Sequence, residues 1–309
     1  EPVRGGRAHD RLQRLRQRHA HLLRPVPDGG RRDGEGAVKG LLATAFLAIL
    51  LTTLPEPLAA QWGGRTRWAP PRKPSEATEY GEFTFCRLQY RPVRREWLGT
   101  GWDTDYPDGD RNLPLRLSQL TRADIARDGR GDPFHAVVEA TDADLYACPF
   151  LFASDVGTVG LSEVEIVRLR DYLLKGGFLW ADDFWGEYAW HNWMIEMGKV
   201  LPGYRIVEVP PDHVLFHTLY SVDSIPQIPS IQYWRRSGRL GTSERGAESA
   251  TPALHGIMDE SGRLMVIMTH NTDIADGWER EGEDDEFFYR FSPNAYAVGI
   301  NVIIYMLTH

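Results

Sequence analysis

Apolar and polar positions from residue 83 onward follow the two periods of an α/β chain. FTFCRLQY (83–90) alternates with period two and predicts a strand. A polar Gly/Asp loop follows, and the spacing from Leu113-Pro114-Leu115 to Ile125 predicts a helix. AVVEA (136–140) and LYACPFLFA (145–153) predict two more strands, the second a continuous apolar run of the kind a parallel strand buried on both faces needs. The clearest signal comes next. Ser162 and Glu165 have the spacing of a capping box. Ile166, Leu169, Leu173 and Leu174 fall on one helical face, and Gly176-Gly177 supplies the left-handed residue that ends a helix. FLWAD (178–182) then resumes as a strand. Strand, capped helix, Gly-Gly, strand reads as a right-handed βαβ unit, which implies a parallel sheet with helices on both faces.

Downstream, the pattern predicts an aromatic helix at 188–200, a strand YRIVEV at 204–209 and a buried strand LMVIMTH at 264–270. Ser292 as N-cap and Pro293 at the first helical position open a terminal apolar helix, AYAVGINVIIYML. Residues 211–262 lack periodicity and read as an insertion. The expected fold is therefore a single α/β domain, a three-layer, doubly wound, mostly parallel sheet over 81–309.

The region before that domain has a different character. Residues 41–54, LLATAFLAILLTTL, form an apolar run shorter than the roughly 20 residues a membrane span needs. With Lys39 before it and Leu58-Ala59-Ala60 after it, the run reads as the core of a signal peptide over 38–60. Residues 1–37 carry nine Arg without apolar periodicity and read as sequence upstream of the true start. Residues 61–80, rich in Pro, Gly and charge, read as a linker. Charge divides along the same line. Residues 1–60 hold ten basic and six acidic residues, and 61–309 hold 25 and 37. An acidic domain argues against a nucleic-acid partner. Export, to the periplasm or beyond, would place Cys86 and Cys148 in an oxidising compartment, where one disulfide and two buried thiols are both consistent with the sequence. Membrane association is expected only through an uncleaved signal segment.

The phrase LSEVEIVRLRDYLLKGGFLWADDFWG resembles the class I glutamine amidotransferase-like superfamily, in which a capped helix ends in Gly-Gly before a core strand. The ordered set FTFCRLQY, CPFLFASDVG, the Gly-Gly-Phe-Leu-Trp-Ala-Asp-Asp block, DHVLFHTLYSV, MTHNTDIADGW and AVGINVIIYML is similar to the bacterial domain-of-unknown-function 4159 family, over roughly residues 81–309. The resemblance implies a flavodoxin-like fold and an exported or membrane-associated protein, and no established activity. An amidotransferase needs a nucleophile on the elbow after its core strand. Here that elbow reads Asp182-Asp183-Phe184-Trp185-Gly186, without thiol or hydroxyl, and Cys148 lies at the wrong end of the sheet. Glutaminase chemistry is not expected.

Loops at the carboxyl ends of parallel strands build ligand sites. The residues there are Tyr90, Ser154, Asp155, Asp182, Asp183, His270, Asn271 and Asp273, with Trp97, Trp102 and Trp185 in adjoining loops. Asp182-Asp183 suits a metal pair, an acid and base, or simply a helix cap. His213 and His217 have helical metal-ligand spacing but equally fit a buried amphipathic turn. The run Glu279–Glu286 lacks the spacing of a calcium loop and reads as solvated surface. No phosphate-binding glycine pattern occurs, so no nucleotide cofactor is expected. No cofactor of any kind is called for by the motifs.

These features favour a non-catalytic module that binds a small polar ligand, such as a sugar, or a partner protein of the cell envelope. The alternatives are a metal-assisted hydrolase using Asp182 or Asp183 with His270, and a structural module whose helix 188–200 is an interface. The signal reading has a direct test. Expressed with its leader in a bacterium, the chain should mature to a species beginning near Gln61 outside the cytoplasm. An uncleaved, soluble cytoplasmic form would contradict it.

Overall fold

The computed structural model describes residues 71–74 and 82–309. The expected leader, signal segment and most of the linker lie outside the described residues. Seven strands form one sheet: β1 (Phe85–Gln89), β2 (His135–Glu139), β3 (Phe150–Ala153), β4 (Phe178–Phe184), β5 (Ile206–Glu208), β6 (Ala253–Met258) and β7 (Leu264–His270). Their order is β2-β1-β3-β4-β7-β6-β5. The pairs from β2 through β7 are parallel, while β6 and β5 add on antiparallel. This is a mixed α/β fold with a mostly parallel sheet.

Helices cover both faces, as a parallel sheet requires. On one face Phe85, Phe150, Phe152, Phe178 and Trp180 meet α1 (Asp108–Leu120), α5 (Asp276–Glu279) and α6 (Asp285–Thr308). On the other, Cys86, Leu88, Leu151, Leu179 and Ala181 meet α2 (Glu163–Leu174) and α3 (Gly186–Val200). The short α4 (Ile231–Arg236) packs on the first face through Ile231 and Trp234.

The βαβ unit is present as β3–α2–β4. Ser162 accepts from Glu165 N, and Glu165 accepts from Ser162 N at 2.7 Å, so both halves of the capping box are made. Gly176 takes φ +105°. The inward face differs by one residue from the expected one. Tyr172 is buried beside Leu173, while Leu174 is 48% exposed. Tyr172 takes the inward position because its ring closes over Gly177, where a Cβ would lie 2.3 Å from the ring.

Other boundaries also move. The helix expected at 113–125 begins at Asp108 and ends at Leu120. The strand expected at 145–153 is a 3-10 turn at Ala143–Ala147 followed by the four-residue β3. The terminal helix does not start at Ser292. It starts at Asp285, with Asp284 as N-cap accepting from Glu286 N and Phe287 N, and Pro293 lies within it. Phe287 and Phe291 pack on Trp234, so burial of this earlier turn outweighs the backbone bond Pro293 omits. The acidic run before it is not simply solvated, since Arg116 pairs with Glu281 and Arg280 with Glu279. The aperiodic stretch 211–262 holds α4 and a full strand, β6, with Gly256 pressed against Leu264.

Two features anchor β1. Cys86 and Cys148 form a disulfide, with Cα atoms 5.9 Å apart. Arg87 is wholly buried. Its Nε donates to Asp110 Oδ2 at 2.9 Å, and its Nη1 donates to Thr104 O at 2.7 Å and Trp102 O at 3.1 Å. Desolvation opposes the charge, and the Asp110 carboxylate more than offsets it, holding the guanidinium above its ordinary pKa.

The burial pattern of α2 predicts a graded mutational series. Leu173→Ala should cost about 2–5 kcal/mol, Ser162→Ala about 1 kcal/mol, and Leu174→Ala less than about 0.5 kcal/mol in denaturant titrations. Equal costs for Leu173 and Leu174 would contradict the packing.

Candidate functional site

At the carboxyl ends of β3, β4 and β7 the structure brings together Asp155, Asp183 and Asp273, which line one cleft. Glu96 and Glu244 add two further carboxylates to its wall, Trp97 and Trp185 supply aromatic surface, and Arg245 stands among them. The elements explain the positions. Asp155 follows β3 with φ +50°, and Asp183 lies in β4 with φ +52°, where the register with β7 shifts between Ala181 and Phe184. Left-handed backbone at a non-glycine residue is uncommon and clusters at functional sites. Here it turns both carboxylates toward the cleft instead of into a helix-covered face.

Each carboxylate is tethered on one oxygen. Gly101 N donates to Asp155 Oδ2 at 2.9 Å, Trp185 Nε1 to Asp183 Oδ1 at 3.0 Å, and Asp276 N to Asp273 Oδ1 at 2.8 Å. Asp105, Asp273 and Asp276 offer oxygens within 4.8 Å of one another, all buried. Burial dominates the electrostatics. It lifts Asp155 and Asp182 to about 7 and Asp105 to about 6. Burial also drives Asp183 and Asp273 well above the ordinary carboxylate range, and nearby Asp105 adds to both. Such a site stays neutral by holding protons or by accepting a cation.

The other expected residues divide. Asp182 faces away from the cleft, with Thr269 Oγ1 and Ala275 N donating to its two oxygens, the latter at 3.0 Å. Tyr90 braces the Asp155 turn through Ser154 O at 2.8 Å and Asp155 O at 2.7 Å. Ser154 Oγ donates to Asp105 Oδ2 at 2.9 Å. Asn271 Oδ1 accepts from Gly186 N at 2.8 Å and so caps α3. Trp102 packs beside Tyr106, and its carbonyl accepts from Arg87.

His270 is not brought to the cleft. Its ring lies 4.9 Å from both Phe184 and Trp190, and Nε2 is 3.2 Å from Gly186 O. Burial lowers its pKa to about 4. His213 and His217 lie on a short 3-10 turn rather than a regular helix, with His213 Nδ1 accepting from Leu215 N and His217 Nε2 2.9 Å from Pro211 O.

Sequence reading missed Asp105, Glu96, Glu244 and Asp276. None stands directly at the end of a predicted strand. The one available signal was Asp273-x-x-Asp276, whose spacing allows Asp273 to cap the turn containing Asp276, as it does.

A mostly parallel α/β domain with an acidic, Trp-bearing cleft at its strand ends is the class these features define. Over residues 84–307 the chain matches the family described as a domain of unknown function (DUF4159), and it belongs to that family. No curated protein matches it.

The raised carboxyls give a pH test. Folding keeps a proton on Asp155 that the unfolded chain, with a pKa near 3.8, releases. This contribution is fully present below that value and lost as pH rises through about 7. Asp155→Asn removes the titration and keeps an acceptor for Gly101 N. Its stability relative to wild type should therefore rise from pH 5 to pH 7 and level off above, measured by urea unfolding. A pH-independent difference would contradict the assignment.

Proposed function

We propose that this domain is an exported, non-catalytic binding module of flavodoxin-like, amidotransferase-like architecture, which holds a small polar ligand in the acidic cleft. The observation that carries the reading is the meeting of Asp155, Asp183 and Asp273 with Trp97 and Trp185. Carboxylates recognise hydroxyl or ammonium groups, and indole rings supply the flat apolar surface that a sugar ring or a cation prefers. The central parallel strands and two helical layers support the architecture. Asp183 stands on the elbow where an amidotransferase would carry its nucleophile, and both cysteines are in the disulfide. Glutaminase chemistry thus has no nucleophile at that position. The disulfide also favours an oxidising, extracytoplasmic setting. A partner protein of the envelope remains the other occupant this reading allows, because α3 presents exposed Tyr188, Met194 and Ile195.

One observation favours a second reading, the metal-assisted hydrolase. Asp105, Asp273 and Asp276 are close enough to share a hard divalent cation, with Asp183 nearby as the base. His270 contributes nothing to it from the opposite face.

Thermal shifts against monosaccharides, small amines, Mg2+, Ca2+ and Mn2+ test both. A ligand at 100 times its Kd stabilises by about 2.7 kcal/mol. Asp183→Asn should abolish the shift. A stoichiometric divalent ion in the purified protein favours the hydrolase. A saccharide or amine shift without an ion favours the binding module. No shift with any of them ends both small-ligand readings.

A further inference from the structure

Between β1 and α1 the chain crosses the cleft as a strap with two fixed feet and a loosely held middle. At the first foot, Val93 N donates to Thr158 O at 2.8 Å and Arg94 Nε to Gly157 O at 2.6 Å. At the second, Gly101 N donates to Asp155, and Thr104 N donates to Gly101 O at 3.1 Å. Among the described residues, no backbone N–H from 95 to 99 donates to a backbone carbonyl. Leu98 at φ +75° and Gly101 at φ +94° stand at the turning points.

The contacts that hold the middle down come from the far rim of the cleft. Arg245 Nη2 donates to Glu96 Oε2 at 3.0 Å and to Trp97 O at 3.2 Å. Tyr233 meets the Trp97 ring edge-on at 6.2 Å. The rim itself is braced, since Arg245 N donates to Ser249 Oγ and Thr242 Oγ1 to Gln227 Oε1, both at 2.8 Å. In this position the strap touches what it covers. A Cβ on Gly99 would lie 2.4 Å from Asp155 Oδ2. Beneath it Asp155 and Asp273 are 2% exposed and Asp183 9%.

We propose that residues 95–99 are a gate over the cleft and that Arg245 is its latch. The chemistry of the latch suits release. If it opens, Glu96 keeps Arg94 as a counter-ion on its own foot, and Arg245 keeps Glu244 at 3.6 Å, so neither charge is stranded. The proposal rests on reading the cleft as a ligand site, and it names how access to that site is controlled.

Carboxyl footprinting of the full chain with a carbodiimide and glycine ethyl ester, read by mass spectrometry, tests the gate without any ligand. Arg245→Ala and Glu96→Gln should each raise labelling of Asp155, Asp183 and Asp273 severalfold. Labelling of Asp110, buried against Arg87, should not change. Glu96→Gln carries the test if Arg245→Ala fails to fold. Unchanged labelling of the three cleft residues in folded variants would overturn the gate, as would a rise that includes Asp110. Because the readout needs no bound molecule, failure here is distinct from failure to find a ligand.

Discussion

Burying carboxylates is the constraint around which the carboxyl end of this sheet is organised. An ionised carboxylate withdrawn from water costs several kcal/mol unless hydrogen bonds or countercharges replace its hydration. This domain meets the cost mainly with its own backbone. Gly101, Ala275, Asp276, Ile231 and Ser230 donate their amides to Asp155, Asp182, Asp273, Asp276 and Glu244. Each bond fixes a loop as well as a charge. The loops that build the cleft therefore take their shapes from the acids they surround, and the acids stay buried because those loops are in place.

The two faces of β4 and β7 show how this burial is partitioned. Toward α5, Asp182 and Thr269 form a closed polar contact above Trp180 and Trp278. Toward α3, Phe184, His270, His255 and Trp190 stack as a neutral aromatic group. Asp183, at the left-handed position in β4, escapes both layers and lines the cleft. Neighbours in sequence such as Asp182 and Asp183 consequently have different surroundings, one satisfied by protein on both oxygens and one lining the cleft.

Where local chemistry decides structure, the residues announced it. Ser162 and Glu165 cap α2, and β7 spans the expected 264–270. Strand ends pointed to Asp155, Asp183 and Asp273 because a parallel sheet places its loops there. Tertiary packing decided the rest. Tyr172 displaced Leu174 from the core because Gly177 left room for a ring, and α6 began early because Phe287 and Phe291 pack on Trp234. β6 was hidden since His255 and Gly256 break the apolar alternation, although its neighbours on both sides impose extended backbone. Asp105, Glu96 and Glu244 reach the site from long connections, whose paths no periodicity reveals. His270 sat at a strand end as expected, but strand alternation aimed it at the α3 face.

The buried Arg87 has a consequence for how faithfully the chain finds its pairing. Most strand residues here are apolar on both sides, and a one-residue slip of such a strand exchanges one greasy surface for another at little cost. Arg87 removes that ambiguity from β1. Slipped by one position, its guanidinium would enter the layer of Leu88 and Leu151, away from Asp110 and the carbonyls of Trp102 and Thr104. Cys86 would turn to the opposite surface, out of reach of Cys148. An ionic group and a thiol on adjacent residues thus proofread the alignment of the strand between β2 and β3, one by penalising the wrong alignment and the other by covalently sealing the right one.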